Sequence, residues 1–529
     1  MEALATTSSS APLLMGAVSL VGALMFLLNR GGKKEQNLPP GPPAMEFLAK
    51  FINLRRSIFY VRPILRELHA RYGPIFSVRL FKTFIFVRDR GLTHEMLVRG
   101  GATFADRPDP LYQPWPMFFD GGILINAYGT YWQRMRRNLV EALHPARVAL
   151  FKQARSRTRD ALLARLSAAA AGGGEVVAVR EIFRRTLFEL LAYMTLGPGL
   201  STETLNDIFM VQKDAFGAVT SFSYFMAFVE LTKRIFSKRW AALQEIGKRR
   251  EAILSPLIQD RRLRASSSGG GMETDMDTDT DTDQDPPCYA DTLLKVRLPD
   301  EGDRALTNAE ITALCSEFMV AGTDTTASLM EWLMAEMVIR PDVQAKVYQE
   351  VSGDEELKES DLAKMPYLKA VVLEALRMHP AAHLIFPHKS MHDTEVGGYT
   401  VPKGAEVNFL VADCALDPTV WTDPEEFRPE RFLEGGEGHG VDITGNKEVK
   451  MIPFGAGRRM CPGYSLATLH LQSLVATIVK EFEWLPAVEG QKIDMTEDLD
   501  GVIVIRDPLR VRLIPRRSSE LASTHSDLK

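Results

Sequence analysis

Cysteine is scarce in this chain of 529 residues, with four in all. Cys288, Cys315, Cys414 and Cys461 are too few for a disulfide scaffold, and no two form a C-x-x-C pair. A reducing compartment suits such a chain. An excess of one charge is also missing: 63 Lys and Arg stand against 68 Asp and Glu, a formal net charge of −5. Glu273, Asp275, Asp277, Asp279, Asp281, Asp283 and Asp285 crowd into one short tract, so the rest of the chain is close to neutral. A basic footprint for nucleic acid is therefore absent. No internal repeat is apparent, and beyond the N-terminus there is no membrane signal, which excludes a polytopic membrane protein. With 45% hydrophobic and 25% charged residues, the chain has the composition of a globular protein with ample core material.

The N-terminus stands apart. Ala3 to Asn29 carries no charge, and its apolar heart, Ala11 to Leu28, approaches the ~20 residues that span a bilayer. Arg30, Lys33 and Lys34 follow at once, which orients the C-terminal side toward the cytosol. A cleaved signal peptide would carry its positive charge before the apolar run. Residues 1–30 are thus expected to be an uncleaved anchor. A proline-rich hinge over 31–45 follows, with Pro39, Pro40, Pro42 and Pro43 stiffening the chain as a spacer. The main domain is expected over 46–516, with a polar tail over 517–529. Inside it, residues 265–288 are rich in serine and glycine and then in an Asp-Thr repeat, a composition that cannot bury a core. The tract lacks the spacing of a calcium loop.

Ile75 to Val87 alternates as two short strands around Lys82-Thr83. Helical patterns dominate to about residue 390, including one from Thr307 to Ile339 and one from Met365 to Met378. Strand character returns at Val396 to Val401 and, after a Pro402-Lys403-Gly404 turn, at Val407 to Val411. The strands do not alternate with helices as in a parallel sheet. The fold class is therefore mainly α with small β-sheets, α+β.

The most informative stretch is Phe454-Gly455-Ala456-Gly457-Arg458-Arg459-Met460-Cys461-Pro462-Gly463. It has no third glycine for a dinucleotide fingerprint. A lone cysteine here precedes an amphipathic helix, whose N-terminus and neighbouring arginines would favour a thiolate suited to a nucleophile or a metal ligand. Core packing is the usual fate of an isolated cysteine; the glycines and arginines argue against it. Elsewhere, Ala321-Gly322-Thr323-Asp324-Thr325-Thr326 puts polar groups at the centre of an apolar helix, where threonine hydroxyls compete for carbonyls four residues back. His379, His383, His388 and His392 lack the spacing of a zinc site, because Pro380 breaks the helix and His-Glu-x-x-His is absent.

Phe454, Gly457, Arg459, Cys461 and Gly463 fill the pattern Phe-x-x-Gly-x-Arg-x-Cys-x-Gly and resemble the haem-binding loop of cytochromes P-450. Glu374-Ala375-Leu376-Arg377 resembles the family's Glu-x-x-Arg motif, and Arg431 in Pro429-Glu430-Arg431-Phe432 resembles the third member of its buried Glu–Arg–Arg network. The resemblance covers roughly residues 38–512 and is strongest to plant microsomal members, among them family 89. Ala381 and Ser465 depart from the family pattern, where proline and glycine are usual.

The resemblance implies haem b with Cys461 as axial thiolate. Phe454 would pack by the sulfur. Arg459, the pair Trp132 and Arg136, and His388 would meet haem propionates. Asp324 and Thr325 would relay protons to dioxygen, with Gly322 leaving room for it. The implied activity is an NADPH-dependent monooxygenase acting on an apolar small molecule, in the endoplasmic reticulum membrane with its catalytic domain in the cytosol. NADPH-cytochrome P-450 reductase is the implied electron donor, with Arg134, Arg137 and Arg458 as candidate contacts. Phe118, Phe119, Phe209, Phe216, Phe222, Phe225 and Phe228 are candidates for an apolar pocket, or for plain core. A haem-thiolate isomerase or dehydratase and a non-catalytic haem protein are the alternatives; the intact Asp324-Thr325 pair speaks against both.

Overall fold

The computed structural model describes residues 37–52, 61–80, 82–108, 121–171, 176–218, 229–267, 286–353 and 357–516. The expected anchor, nearly all of the acidic loop, the polar tail and Phe118, Phe119, Phe222, Phe225 and Phe228 lie outside them. No helix among the described residues is long and apolar enough to cross a membrane.

Helices dominate. α1 (Thr130–Ala142), α2 (Lys152–Ala170), α3 (Arg180–Leu196), α4 (Thr202–Gly217) and α5 (Ser237–Ser267) precede the central α6 (Asn308–Ile339). α7 (Pro341–Val351), α8 (Pro366–Met378) and α9 (Tyr464–Glu481) follow it. α6 starts where the sequence indicates. The Thr307 hydroxyl accepts the Glu310 N–H, and the Glu310 carboxylate accepts the Thr307 N–H at 2.7 Å, a capping box. Pro341 supplies no N–H and disfavours helical geometry at Arg340, so the helix ends. Between its ends α6 is buried on nearly every face, as a core helix must be. It packs along α3 and against α5, α8 and α9.

The strands are few. β1 (Ile75–Arg79) and β2 (Thr83–Val87) form the expected antiparallel pair. β2 runs parallel to β4 (Glu406–Phe409), which pairs with β3 (His388–Lys389), so the sheet order is β1-β2-β4-β3. The strand expected through Val411 stops at Phe409. Val411–Cys414 coils into a helical turn that carries the buried Asp413 to Arg62 at 3.1 Å and Arg66 at 2.8 Å. The proline run is no free spacer either. Pro39 and Pro40 carbonyls accept the Ser77 hydroxyl and N–H at 2.6 and 2.9 Å, which fastens the run to β1. A final hairpin, β5 (Glu497–Asp500) and β6 (Val502–Ile505), rests on α6, where Ser328 Oγ and Trp332 Nε1 donate to the Ile503 carbonyl.

The Glu–Arg–Arg network forms as the motifs imply. Arg377 Nε and Nη2 lie 2.7 and 2.8 Å from the two Glu374 oxygens, and Arg431 Nε lies 3.0 Å from Oε1. All three side chains are buried. Arg377 also donates to the Ala415 and Pro424 carbonyls, tying α8 to the meander that follows the sheet. Such a network is costly to break, because removing one partner strands the others' charge out of water. Glu374→Ala should therefore cost about 3–5 kcal/mol, read as a fall in melting temperature or failure to accumulate. A melt like wild type would mean that water reaches the two guanidinium groups.

Candidate active site

The loop over residues 454–463 depends on glycine at one place above all. Gly457 has φ +70°, and a Cβ there would stand 1.8 Å from the Leu97 carbonyl oxygen. No other residue fits without moving the chain. The Cys461 N–H donates to the Phe454 carbonyl at 2.8 Å, and the Phe454 ring meets Tyr464 edge-on at 6.2 Å. α9 starts at Tyr464 with Gly463 at its cap, so Cys461 lies just before a helix N-terminus, as expected.

The electrostatics of the sulfur differ from the expectation. Burial pushes the Cys461 thiol up, and the Gly463 N–H and Arg136 pull it down only in part. Arg458 is directed elsewhere: it is exposed and bonded to the Tyr128 hydroxyl. A stable thiolate here calls for a cation on the sulfur, and a metal ion supplies one.

Three guanidinium groups gather around this loop. Arg136 donates to the Met460 carbonyl. Arg459 donates to the Ala105, Ile123 (3.3 Å) and Asn126 (2.7 Å) carbonyls, and lies 4.6 Å above the Trp132 ring. Arg107 donates to the Leu124, Phe386 and Pro387 carbonyls, each at 2.9 Å. Among the described residues, none of the three pairs with a carboxylate. Burial lowers Arg136, Arg107 and Arg459, the last to about 10, and Arg136 and Arg459 repel one another. Desolvated cations that meet only backbone carbonyls suit a group bearing carboxylates, and haem bears two. The residues present therefore fit haem: one soft anionic ligand and a cationic rim.

Trp132 and His388 have backbone partners in this structure. The indole N–H of Trp132 donates to the Ile123 carbonyl at 2.9 Å, and its ring lies under Arg459. His388 is buried in β3, with Nδ1 2.6 Å from the Phe104 carbonyl. Burial and the nearby Arg107 hold it well below the usual histidine range, so it is neutral.

The polar centre of α6 divides between two faces. Glu317, Ala321 and Thr325 recur every four residues and share one face. Ala321 is exposed although the helix around it is mostly buried. Thr325 Oγ1 donates to the Ala321 carbonyl at 2.7 Å, and Thr323 does the same to Met319, the back-bonding the sequence suggested. Asp324 does not bond Thr325. Its carboxylate meets Arg184 Nε of α3 at 2.9 Å, beside a small cavity that Phe188 and Phe209 also line. A Cβ at Gly322 would stand 2.7 Å from Leu191 Cδ1, so this glycine also lets α3 approach. Arg184 and Glu317 escaped the sequence reading. Glu317 could have been found as the only acid in the apolar run Ile311–Val320.

Comparison with known proteins agrees with this geometry. Residues 39–513 match the family model described as Cytochrome P450. The chain is 38% identical over 500 residues to cytochrome P450 89A9 of Arabidopsis thaliana, covering 91% of this chain and 94% of that protein. It is 30% identical to flavonoid 3'-monooxygenase of the same plant, covering 95% and 96%. The retinoic acid-bound cyanobacterial CYP120A1 superposes with a TM-score of 0.70 at 20% identity, covering 90% of this chain and all of that one. A zebra fish cytochrome P450 solved with abiraterone gives 0.69 at 23%, covering 86% and 99%; both show the shared fold. The chain belongs to the cytochrome P450 monooxygenase family. Membership implies a haem-thiolate cofactor, a redox partner and a small-molecule substrate.

Burial pushes the Asp324 carboxyl up to about 6 against the pull of Arg184. The native state then holds a proton that the unfolded chain releases, so stability falls as pH rises from about 4 to about 6. Melting curves of wild type and Asp324→Asn should diverge across that window, with wild type losing ground, and run parallel above it. Parallel behaviour from pH 4 upward would mean that Asp324 stays ionised throughout.

Proposed function

We propose that this protein is a haem b monooxygenase that inserts one atom of dioxygen into an apolar organic substrate and reduces the other to water. Electrons come from NADPH through NADPH-cytochrome P-450 reductase. The observation that carries this reading is Cys461 beside buried guanidinium groups that, among the described residues, have no carboxylate partner. Cys461 would hold the iron, and Arg136 and Arg459 would take the propionates. When bound, the haem supplies the redox chemistry that activates dioxygen.

The chain's own part is proton handling. Thr325 carries a hydroxyl that both donates and accepts, on the same face of α6 as the exposed Ala321. Asp324 belongs to a cluster of charged groups that reaches the surface and holds its carboxylate in place. Arg184 joins it to Asp500 at 2.6 Å and Glu181 at 3.4 Å, and Lys213 meets Glu181 at 2.7 Å. Glu181 and Lys213 are exposed and Asp500 is partly so. A carboxyl that titrates near 6 is suited to holding and releasing a proton at working pH. The apolar substrate class is carried over from the family likeness; the small cavity beside Asp324 mixes Phe188, Phe209 and Met319 with Arg184, Gln212 and Lys213 and does not itself mark a substrate.

Arg134 and Arg137 are exposed on α1 and, with Arg458, are candidates for meeting an acidic reductase surface. Residues 1–30 are proposed to anchor the protein in the endoplasmic reticulum membrane, with the catalytic domain in the cytosol.

Cys461→Ala should abolish the thiolate-type Soret band of the reduced, carbon monoxide-treated protein; its survival would refute the ligand assignment. Thr325→Val removes the hydroxyl and keeps the shape. Haem should still bind, and product should fall about tenfold or more while NADPH consumption with reductase continues and hydrogen peroxide accumulates. Wild-type coupling in Thr325→Val would place the relay elsewhere. No reductase-dependent NADPH consumption by wild type with any substrate would favour the isomerase or the non-catalytic alternative.

A further inference from the structure

Glu317 reaches from the Ala321–Thr325 face of α6 to the segment that supports the guanidinium rim. Its Oε2 accepts the Ile123 N–H at 2.7 Å and its Oε1 accepts the Leu124 N–H at 2.6 Å. The Leu124 N–H and the Ile123 C=O belong to one planar trans peptide group and point in opposite directions. Holding that N–H therefore aims that carbonyl. The Ile123 carbonyl is the one that accepts Trp132 Nε1 at 2.9 Å and Arg459 Nη1 at 3.3 Å. The next carbonyl, of Leu124, accepts Arg107 Nε at 2.9 Å. The segment is thus suspended between one carboxylate and three donors. We infer that Glu317 is a positioning residue: its grip on two successive amides sets where Arg459 and Arg107 stand for the carboxylates of the cofactor, with Trp132 supporting Arg459 from behind. The inference rests on the haem reading above. Outer partners of this kind commonly govern cofactor retention without touching the cofactor.

The grip needs both oxygens as acceptors, hence an ionised carboxylate. Arg107, Arg459 and the two amides favour ionisation, while burial opposes them and carries the carboxyl up to about 7. Tyr289 is the other titratable neighbour, and burial holds its phenol neutral. Protonation of Glu317 turns one acceptor into a donor and frees one amide.

The test measures haem release from the full-length protein into apomyoglobin, for wild type and Glu317→Gln. The amide is isosteric but offers one acceptor oxygen. At pH 8 the variant should lose haem about tenfold faster or more, the scale of one hydrogen bond to a charged group. At pH 6, where wild-type Glu317 is itself protonated, the two rates should converge to within about twofold, on the same scale. A wild-type release rate in the variant at pH 8 would overturn the inference. So would a rate ratio unchanged between pH 6 and pH 8, which is what a merely structural defect produces. If Glu317→Gln does not fold, Glu317→Asp carries the test. It keeps the charge on a shorter arm, and its release should be faster than wild type at pH 8 yet still pH-dependent; a pH-independent rate would overturn the inference. A wild-type protein that never acquires a Soret band would defeat the haem reading itself, a separate failure visible before any variant is made.

Discussion

Burying guanidinium groups without carboxylate partners is the constraint on which the rest of this site depends. A charged group taken out of water must be met by hydrogen bonds or an opposite charge. Arg459, Arg107 and Arg136 are met by backbone carbonyls, which neutralise nothing. The carbonyls must therefore be presented in number and in the right direction. That requirement explains why an irregular segment around Ile123–Asn126, with Ile123 buried and the next three residues half-buried, turns its carbonyls toward the arginines instead of toward water. It also explains the acid in the apolar run of α6: the segment's amides face inward and need an acceptor. A site so arranged keeps its positive charge available for an anionic group, whereas salt-bridged arginines would already be satisfied.

The same residue type does different work in the Glu374–Arg377–Arg431 network. There the acid is present: two guanidinium groups share the Glu374 carboxylate at 2.7 to 3.0 Å, Arg431 also pairs with Glu437, and neighbouring carbonyls take the remaining donors. Trp421 lies beside both, 5.3 Å from Arg377 and 5.9 Å from Arg431. A closed network holds α8 to the following meander and offers nothing to a ligand. Burial alone, then, does not mark a functional arginine. The absence of a carboxylate partner does.

The sequence was most legible where local rules act alone. Helix α6 could be bounded from Thr307 and Pro341, β1 and β2 from their alternation, and the cap of α9 from the glycine loop. The buried triad and the cysteine loop were legible through spacing and resemblance. Side-chain direction was not, because it depends on which chain segment arrives on the other side. Nothing local shows that Leu191 from α3 closes on Gly322, or that the Ile123 carbonyl, nine residues earlier, takes the Trp132 N–H. The strand at Val411 ended early because Asp413 is drawn to arginines some 350 positions away. None of these long-range partners leaves a trace in local periodicity.

The division of α6 into two faces gives the last step. Residues Asp324 and Thr325 are neighbours in sequence and differ by about 100° around the helix axis. Asp324 faces α3 and the ion pairs that lead to solvent through Arg184. Thr325 faces with Ala321 and Glu317 toward the segment that holds the rim. The adjacent pair Asp324 and Thr325 therefore serves two neighbouring faces of one helix, Asp324 anchored to α3 through Arg184 and Thr325 tied back to its own helix. The back-bonded hydroxyls of Thr323 and Thr325 loosen the local carbonyl ladder at that same turn. The cost of placing polar groups in a buried helix is thereby confined to one turn, and the apolar turns on either side keep the core closed.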